Sequence, residues 1–231
     1  MKNKISKAMI LAAGFGTRLK PLTDTTPKPL IEFKNKTLID YAINFLISLN
    51  IKEVVINLHY KSEHIIEHLS QRTDIKIFFS HEKKILGTGG GVVNVRDKFH
   101  DVFLLLNSDI IWEEKMCQFF SIFINEWDDN AMDAFLLLSQ KDKISGYYGE
   151  GDFNLNQEGQ IIGEKSGGSK KDFVFAGAQL LNPKVLDNYS PVFFPMNNIW
   201  KDVISNKRLY GKIANQEIKH LGSIDALKDI K

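Results

Sequence analysis

The sequence predicts an α/β fold built on a doubly wound, mostly parallel sheet with β-hairpin insertions. Apolar, strand-like runs alternate with amphipathic helical patterns as far as Ser139, and that alternation is typical of parallel βαβ units. Beyond Ser139 the chain is richer in Gly and Lys and its apolar runs are short, which favours hairpins beside the sheet over further crossovers. The 231 residues have room for one Rossmann-like domain of this kind.

Each predicted element follows from its local pattern. Met9 to Ala12 is an uninterrupted run of small apolar residues, which is typical of a buried parallel strand. Thr37 precedes an apolar pattern of helical period and is the predicted N-cap of a helix over 38–50. The remaining elements are strands over 53–58, 75–80, 101–109 and 133–139, helices over 62–70, 87–98, 113–127 and 197–206, and a final strand, turn and helix over 218–231.

Composition limits the possible partners and the compartment. A net charge of +2 is too small to indicate a nucleic acid or membrane partner. Cys117 is the single cysteine, so an internal disulfide is impossible and a reducing compartment fits. The first residues form no apolar signal segment, and no apolar run approaches the roughly 20 residues of a membrane span. We therefore expect a cytoplasmic protein, either a monomer or a homodimer.

The first motif is a glycine-rich turn, Gly14-x-Gly16, directly after the first strand. Such a turn can bind phosphate through its backbone N–H groups, or it can be purely structural. A dinucleotide fingerprint would need a third glycine where Leu19 stands, and a Walker A loop would need Gly-Lys-Ser/Thr where the chain has Gly16-Thr17-Arg18. The glycines alone leave the phosphate-binding turn and the structural turn open.

The longer pattern L-A-A-G-x-G-T-R-L-x-P-L-T-x-x-x-P-K-P-L runs from Leu11 to Leu30. It resembles the signature of the sugar-1-phosphate nucleotidyltransferases. The resemblance implies that Arg18 holds the β- and γ-phosphates of a nucleoside triphosphate (NTP) and that Lys28 neutralises the α-phosphate, both as catalytic residues. The implied nucleotide contacts from this segment are Leu11, Ala13, Gly14, Gly16, Thr17, Arg18 and Lys28.

A second glycine-rich segment, Ile85 to Gly91, resembles the part of the family that contacts the nucleobase at a helix start. The resemblance implies base contacts from Thr88, Gly89 and Gly90, with Glu82 or His81 at the rim. A glycine-rich helix start also occurs for purely structural reasons, and the segment by itself leaves both interpretations open.

A metal site is implied at the end of the strand that contains Asn107 and Asp109. The strand end resembles the family's catalytic carboxylate that binds Mg²⁺, and oxygen ligands suit that cation. Helix capping is the alternative for Asp109. His220 stands where the family has a second carboxylate, and imidazole suits Mn²⁺, Co²⁺ or Zn²⁺ better than Mg²⁺. The second metal ligand is therefore open, with Mg²⁺ the expected cofactor and Mn²⁺ or Co²⁺ possible.

The later hairpins resemble the family's sugar site. The segments GEGDFNL, GEKSGG and FVFAGAQLL follow in the family's order. The resemblance implies that the following residues bind the sugar phosphate: Asn107, Gly151, Asp152, Glu164, Lys165 and Gly177. It also divides the single domain, residues 1–231, into a nucleotide-binding half near 1–140 and a sugar-binding half near 141–231.

Two other features favour no function. His64 to His68 matches the H-x-x-E-H pattern of inverted zinc proteases, but nothing else in the chain indicates a protease, so we interpret it as a solvated helix face. Cys117 lies in an apolar helical pattern and is predicted to be buried packing.

The resemblance implies an enzyme that joins an NTP to a sugar 1-phosphate and releases pyrophosphate. Among subtypes, the short chain and the LGTGGG, GDF and FVFAGAQLLNP segments are most similar to uridylyltransferases acting on N-acetylmuramate 1-phosphate in cell-wall recycling. Guanylyltransferases of mannose 1-phosphate or heptose 1-phosphate are the alternative. A regulatory subunit that binds nucleotide sugars without turnover is an alternative of another class, and His220 is the one feature that favours it.

Overall fold

A seven-stranded sheet forms the centre of the computed structural model, which describes residues 5–162 and 171–230. The strands are β1 Lys7–Leu11, β2 Glu32–Phe33, β3 Lys36–Thr37, β4 Glu53–Leu58, β5 Lys76–His81, β6 Phe103–Asn107, β7 Ala134–Gln140, β8 Ile144–Ser145, β9 Asn154–Leu155, β10 Ile161–Ile162, β11 Phe173–Leu181, β12 Leu209–Ile213 and β13 Ile218–Lys219. The helices are α1 Leu22–Thr25, α2 Leu38–Ser48, α3 Ser62–Leu69, α4 Gly87–Val93, α5 Cys117–Asn125, α6 Asn197–Ser205 and α7 Ile224–Asp229.

The order of the strands in the sheet is β12-β7-β11-β6-β1-β4-β5, and β11 alone of the seven runs antiparallel to its neighbours. The chain passes from β1 outward to β4 and β5, then crosses back to β6 on the other side of β1. The strand order therefore reverses between β1 and β6, which is where doubly wound folds bind ligands at the carboxyl ends of their strands. The predicted Rossmann-like, mostly parallel sheet is confirmed.

Helices cover both faces of the sheet. The buried side chains of α2, α3 and α5 share one core cluster with Ala8 and Ile10, and those of α4 and α6 share another with Met9. The alternation along β1 is the two-residue period of a strand whose two faces are both buried. None of the helices among the described residues is long and apolar enough to cross a membrane.

The N-terminal elements agree closely with the predicted ones. The Thr37 hydroxyl accepts a hydrogen bond from the backbone N–H of Asp40, so Thr37 is the N-cap of α2 as predicted. The strand over 53–58 has the predicted limits, and the helix over 62–70 ends one residue early. Two helices are several residues shorter than predicted. The helix that begins at Gly87 ends at Val93, and a 3-10 turn precedes α5 at Glu114–Met116.

The C-terminal half departs from the prediction at β11 and β12. The segment FVFAGAQLL was predicted as a hairpin beside the sheet, but it is a nine-residue strand inside the sheet, between β6 and β7. Its residues from Ala176 onward are buried, as a central position requires, and a bulge between Phe175 and Gln179 interrupts its pairing. Strand β12 at the edge was not predicted. A small hairpin of β9 and β10 is present as expected.

Candidate functional site

A pocket of about 230 Å³ lies beside the carboxyl end of β6. Its lining brings together residues from the first motif, from the end of β6, from the bulge in β11 and from the C-terminal segment. The lining residues are Arg18, Asn107, Asp109, Ile110, Ile144, Tyr147, Phe175, Gly177 and His220. Five of the residues assigned from the sequence, namely Arg18, Asn107, Asp109, Gly177 and His220, thus share one pocket.

Asp109 is the electrostatic centre of this pocket. It is 8% exposed, and its Oδ2 accepts a hydrogen bond from the Lys28 ammonium and lies 3.1 Å from His220 Nε2. Its Oδ1 is buried and has no hydrogen-bond partner among the described residues. Burial would raise the pKa of Asp109, but the neighbouring Lys28 charge and the contacts with His220 lower it well below its usual range. The carboxylate is therefore ionised with one oxygen unused.

Backbone pairing fixes His220 beside Asp109. The backbone N–H of Leu221 donates to the Asp109 carbonyl at 2.7 Å, and the N–H of Ile111 donates to the Lys219 carbonyl at 3.0 Å. These bonds join the segment after β6 to the segment after β13 in an antiparallel bridge. The N–H of His220 also donates to the Ser145 carbonyl at 2.9 Å. The backbone of His220 is therefore fixed by main-chain hydrogen bonds, and its imidazole contacts the Asp109 carboxylate.

The Gly14-x-Gly16 turn leads into Arg18, which lines the pocket, and packs against Lys28, which pairs with the pocket residue Asp109. Gly16 has φ of +64°, and a Cβ there would lie 2.8 Å from the Thr23 methyl and 2.9 Å from Lys28 Cβ, so the turn requires glycine. A Cβ on Gly14 would meet nothing within 4 Å. The structural interpretation of this turn thus holds for Gly16, whereas packing does not explain Gly14.

The glycines of α4 pack against a later segment of the chain. The N–H groups of Gly89 and Gly90 donate to the Phe194 carbonyl at 3.0 and 3.3 Å, and Thr88 Oγ1 accepts from the Met196 N–H at 2.8 Å. A Cβ on Gly89 would collide with the Phe194 ring. Close packing therefore accounts for these glycines, and the structure does not support the predicted base contacts through the N–H groups of Gly89 and Gly90.

Glu82 is not at the rim of the site, where it was predicted. It is 5% exposed, and its carboxylate accepts hydrogen bonds from the Asn57 side-chain amide at 2.7 Å and from the Leu86 N–H at 2.8 Å. His81, the alternative rim residue, is exposed. The buried position of Glu82 indicates a role beneath the site surface.

The predicted sugar-site residues fall into three groups. Gly177, at φ of +80° in the β11 bulge, packs against Ile110, since a Cβ there would lie 2.6 Å from Ile110 Cγ1. Asp152 accepts a hydrogen bond from the Phe175 N–H at 2.9 Å, and Gly151 packs against the Lys171 carbonyl, so both residues anchor the hairpin to β11. Glu164 and Lys165 lie outside the described residues.

Sequence reasoning missed four pocket residues, Ile110, Ile144, Tyr147 and Phe175. Ile110 directly follows Asp109, whereas the other three reach the site only because the chain returns to it after β7. Asn57 was also missed, although a polar residue near the end of the apolar strand EVVINL is a signal that could have identified it.

The histidines of the H-x-x-E-H pattern do not form a metal site. His68 Nε2 lies 2.8 Å from Asp40, whose other oxygen accepts from Arg72. Throughout 5–162 and 171–230, no group of three His, Cys, Asp or Glu residues could hold a metal ion. Cys117 is half-buried, not fully buried as predicted, and burial raises the pKa of its thiol.

Comparison with known proteins identifies the family. A family model described as nucleotidyl transferase matches residues 7–210. The chain belongs to the nucleotidyl transferase family. N-acetylmuramate alpha-1-phosphate uridylyltransferase of Caulobacter vibrioides is 30% identical over 226 residues, or 95% of this chain and 93% of that protein. Mannose-1-phosphate guanylyltransferase catalytic subunit beta of Dictyostelium discoideum is 34% identical over 80% of this chain, which spans about half (52%) of that protein.

Solved structures of low sequence identity share the fold of this nucleotidyl transferase. The inositol-1-phosphate CTP transferase of T. maritima has a TM-score of 0.79 at 16% identity and covers 98% of this chain and 93% of its own. HddC from Yersinia pseudotuberculosis, complexed with GMP-PN, has a TM-score of 0.75 at 19% identity and covers 97% of both chains. The family match includes Arg18, Lys28 and Asp109, whereas His220 lies beyond the matched residues.

Proposed function

We propose that this nucleotidyl transferase joins an NTP to a sugar 1-phosphate, forming a nucleotide sugar and pyrophosphate. The convergence of Arg18, Lys28, Asp109 and His220 around one pocket carries the proposal. The pocket lies where the strand order reverses, which favours a ligand site. The presence of Arg18, Lys28 and Asp109 argues against a regulatory subunit without turnover, whereas His220 is the one feature that favours it.

The residues around Asp109 fit a divalent cation. Oδ1 of Asp109 is a buried, ionised oxygen without a partner among the described residues, and His220 supplies a nitrogen 3.1 Å from the other oxygen. Two protein donors are few, but Mg²⁺ in phosphate sites commonly takes its remaining ligands from water and substrate. We therefore propose Asp109 as the metal ligand, with His220 as a second ligand that would favour Mn²⁺ or Co²⁺. When bound, the cation would neutralise charge on the NTP phosphates.

Positioning and charge neutralisation would carry the reaction. The nucleophile is a phosphate oxygen of the sugar 1-phosphate, already anionic at neutral pH, so no general base is needed. Lys28 has three N–H donors and uses one on Asp109, which leaves donors for the α-phosphate. Arg18 presents a planar fork for the two phosphates that leave as pyrophosphate. Both cations would oppose the negative charge that develops during displacement.

The substrate pair we propose is UTP and N-acetylmuramate 1-phosphate. The uridylyltransferase relative matches this chain over nearly the full length of both proteins. Guanylyl transfer to mannose 1-phosphate is the second candidate, because guanylyltransferase relatives reach 34 to 36% identity over a shorter span. We also propose that residues 1–140 bind the nucleotide, that 141–231 bind the sugar, and that the protein acts in the cytoplasm as a monomer or homodimer.

A pyrophosphate-release assay tests the activity and its substrates. Five NTPs are each paired with N-acetylmuramate 1-phosphate and with mannose 1-phosphate, and kcat/KM is measured for every pair. We expect the highest value for UTP with N-acetylmuramate 1-phosphate. A tenfold preference for GTP would favour the guanylyltransferase assignment, and nucleotide binding without pyrophosphate release from any pair would favour the regulatory subunit.

A further inference from the structure

A buried polar pair, Asn57 and Glu82, lies beneath two segments of the nucleotide half. The side chains are 2% and 5% exposed. They stand near the carboxyl ends of neighbouring strands, Asn57 in β4 and Glu82 directly after β5. Burying a polar group costs free energy unless the group is hydrogen-bonded, so we expect both side chains to have hydrogen-bond partners.

A continuous chain of hydrogen bonds passes through this pair. The Ala12 N–H donates to Asn57 Oδ1 at 2.9 Å, Asn57 Nδ2 donates to Glu82 Oε1 at 2.7 Å, and the Leu86 N–H donates to Glu82 Oε2 at 2.8 Å. The direction of each bond is fixed, because backbone N–H groups only donate and must face the oxygens. The chain connects the loop after β1 to the segment that leads into α4.

Close packing keeps this pair in place. A Cβ on Gly91 would lie 2.8 Å from both Asn57 Nδ2 and Glu82 Oε1, so α4 approaches the pair directly. His59 Nδ1 lies 2.7 Å from the backbone carbonyl of Glu82. Both donors to the Glu82 carboxylate are neutral, so the contacts depend on matched donor and acceptor geometry, without an ion pair.

We infer that Asn57 and Glu82 are positioning residues that hold loop 12–16 and segment 86–88 at a fixed separation. The inference rests on the proposed function, in which both segments belong to the half of the chain, residues 1–140, that binds the nucleotide. Losing the connection should weaken NTP binding. It should leave the sugar 1-phosphate site unchanged, since the residues assigned to that site, from Asn107 and from 151–177, belong to neither segment.

Exchanging the donor and the acceptor tests this role. N57D keeps an acceptor for the Ala12 N–H but brings two carboxylates together and loses the donor to Glu82. E82Q brings two amides together and removes one of the two acceptor oxygens at position 82. In the double variant N57D/E82Q the glutamine amide donates to the new carboxylate, and its carbonyl accepts from the Leu86 N–H. The double variant therefore restores the match of donor and acceptor, while the negative charge moves from position 82 to position 57.

The measurements are the NTP dissociation constant by calorimetry and KM for both substrates, on the full chain. We expect a roughly tenfold weaker NTP affinity in each single variant, a return to within about threefold of wild type in the double variant, and an unchanged KM for the sugar 1-phosphate. Phe123→Leu is the control, because Phe123 is a fully buried residue of α5 that takes no part in the hydrogen bonds of Asn57 and Glu82.

Three results would overturn the inference. A double variant that binds NTP as weakly as E82Q would show that the charge of Glu82 itself contacts the base. Equal NTP affinity in all variants with normal turnover would show that the connection has no positioning role, while the proposed function stands. A single variant that fails to fold still leaves the double variant to decide, and wild-type protein that binds no NTP overturns both proposals.

Discussion

Replacing Lys28 by methionine should abolish turnover and weaken the fold at the same time. Lys28 and Asp109 are paired with side chains only 16% and 11% exposed, which places them among buried ion pairs. Removing one partner of such a pair costs about 3 kcal/mol at the low end of the observed range, and we expect the low end because His220 remains beside Asp109. Loss of the charge that neutralises the α-phosphate should lower kcat roughly 100-fold or more.

Lys20→Met is the matched control. Lys20 lies in the same motif and pairs with Asp24 at 3.1 Å, but the side chains are 61% and 53% exposed. Such a surface pair contributes about 0 to 1 kcal/mol, so both stability and turnover should stay near wild type. Urea unfolding measures the first and pyrophosphate release the second. Lys28→Met combined with Asp109→Asn should recover stability without activity. Turnover of Lys28→Met within twofold of Lys20→Met would refute the reasoning.

Further perturbations separate structure from chemistry. Gly16→Ala should lower the free energy of unfolding by more than about 1 kcal/mol, since it forces φ of +64° onto alanine. Gly14→Ala should change it by less than about 0.5 kcal/mol, since a Cβ there meets no neighbour. Equal losses of stability in urea unfolding would contradict this difference. Asp40→Asn should make stability less dependent on pH in the acid range. Burial opposes ionisation of Asp40, but hydrogen bonds from Thr37 and His68 and the charges of His68 and Arg72 lower its pKa below 3.8. The stability that ionised Asp40 contributes is therefore present above pH 3.8 and is lost as the pH falls through the lowered pKa. An unchanged pH dependence of the melting temperature in Asp40→Asn would contradict this role of Asp40. EDTA should abolish turnover, and Asp109→Asn should raise the metal concentration that turnover requires. Full activity in EDTA-treated enzyme would exclude dependence on a divalent cation. His220→Asp should preserve or improve Mg²⁺-supported turnover and exceed His220→Ala, and equal activity of wild type and both variants at saturating metal would show that His220 takes no part.

Local sequence patterns predicted the parts of the fold that depend on neighbouring residues. The run before Gly14, the cap at Thr37 and the strand over 53–58 each have a pattern complete within a few residues. Strand β11 was placed wrongly because its position between β6 and β7 depends on a long-range crossover. Its Gly and aromatic content resembles an exposed hairpin, although its second half is buried.

The candidate site likewise contains residues that local patterns predict and residues whose contacts depend on distant parts of the chain. Arg18, Lys28 and Asp109 were identified through one long motif and one strand end, and the structure brings them together. The glycines of α4 were assigned to the base, but packing against Phe194 explains them, and no local pattern reveals a partner more than 100 positions away. The buried connection through Asn57 was also missed, because its bonds to Ala12 and Glu82 join residues 45 and 25 positions apart, although the polar Asn57 near the end of an apolar strand was a local signal.

Product analysis with a labelled nucleotide tests nucleotidyl transfer most directly. The protein is incubated with UTP labelled at the α-phosphorus, N-acetylmuramate 1-phosphate and Mg²⁺, and the products are separated. The account predicts that the label appears in a nucleotide sugar, with one unlabelled pyrophosphate released for each, and that Arg18→Ala and Lys28→Met lose this product. The account is contradicted if, for every labelled NTP and sugar 1-phosphate pair, the label stays in the NTP or appears only in the nucleoside monophosphate. It is also contradicted if the two variants form the nucleotide sugar as well as wild type does.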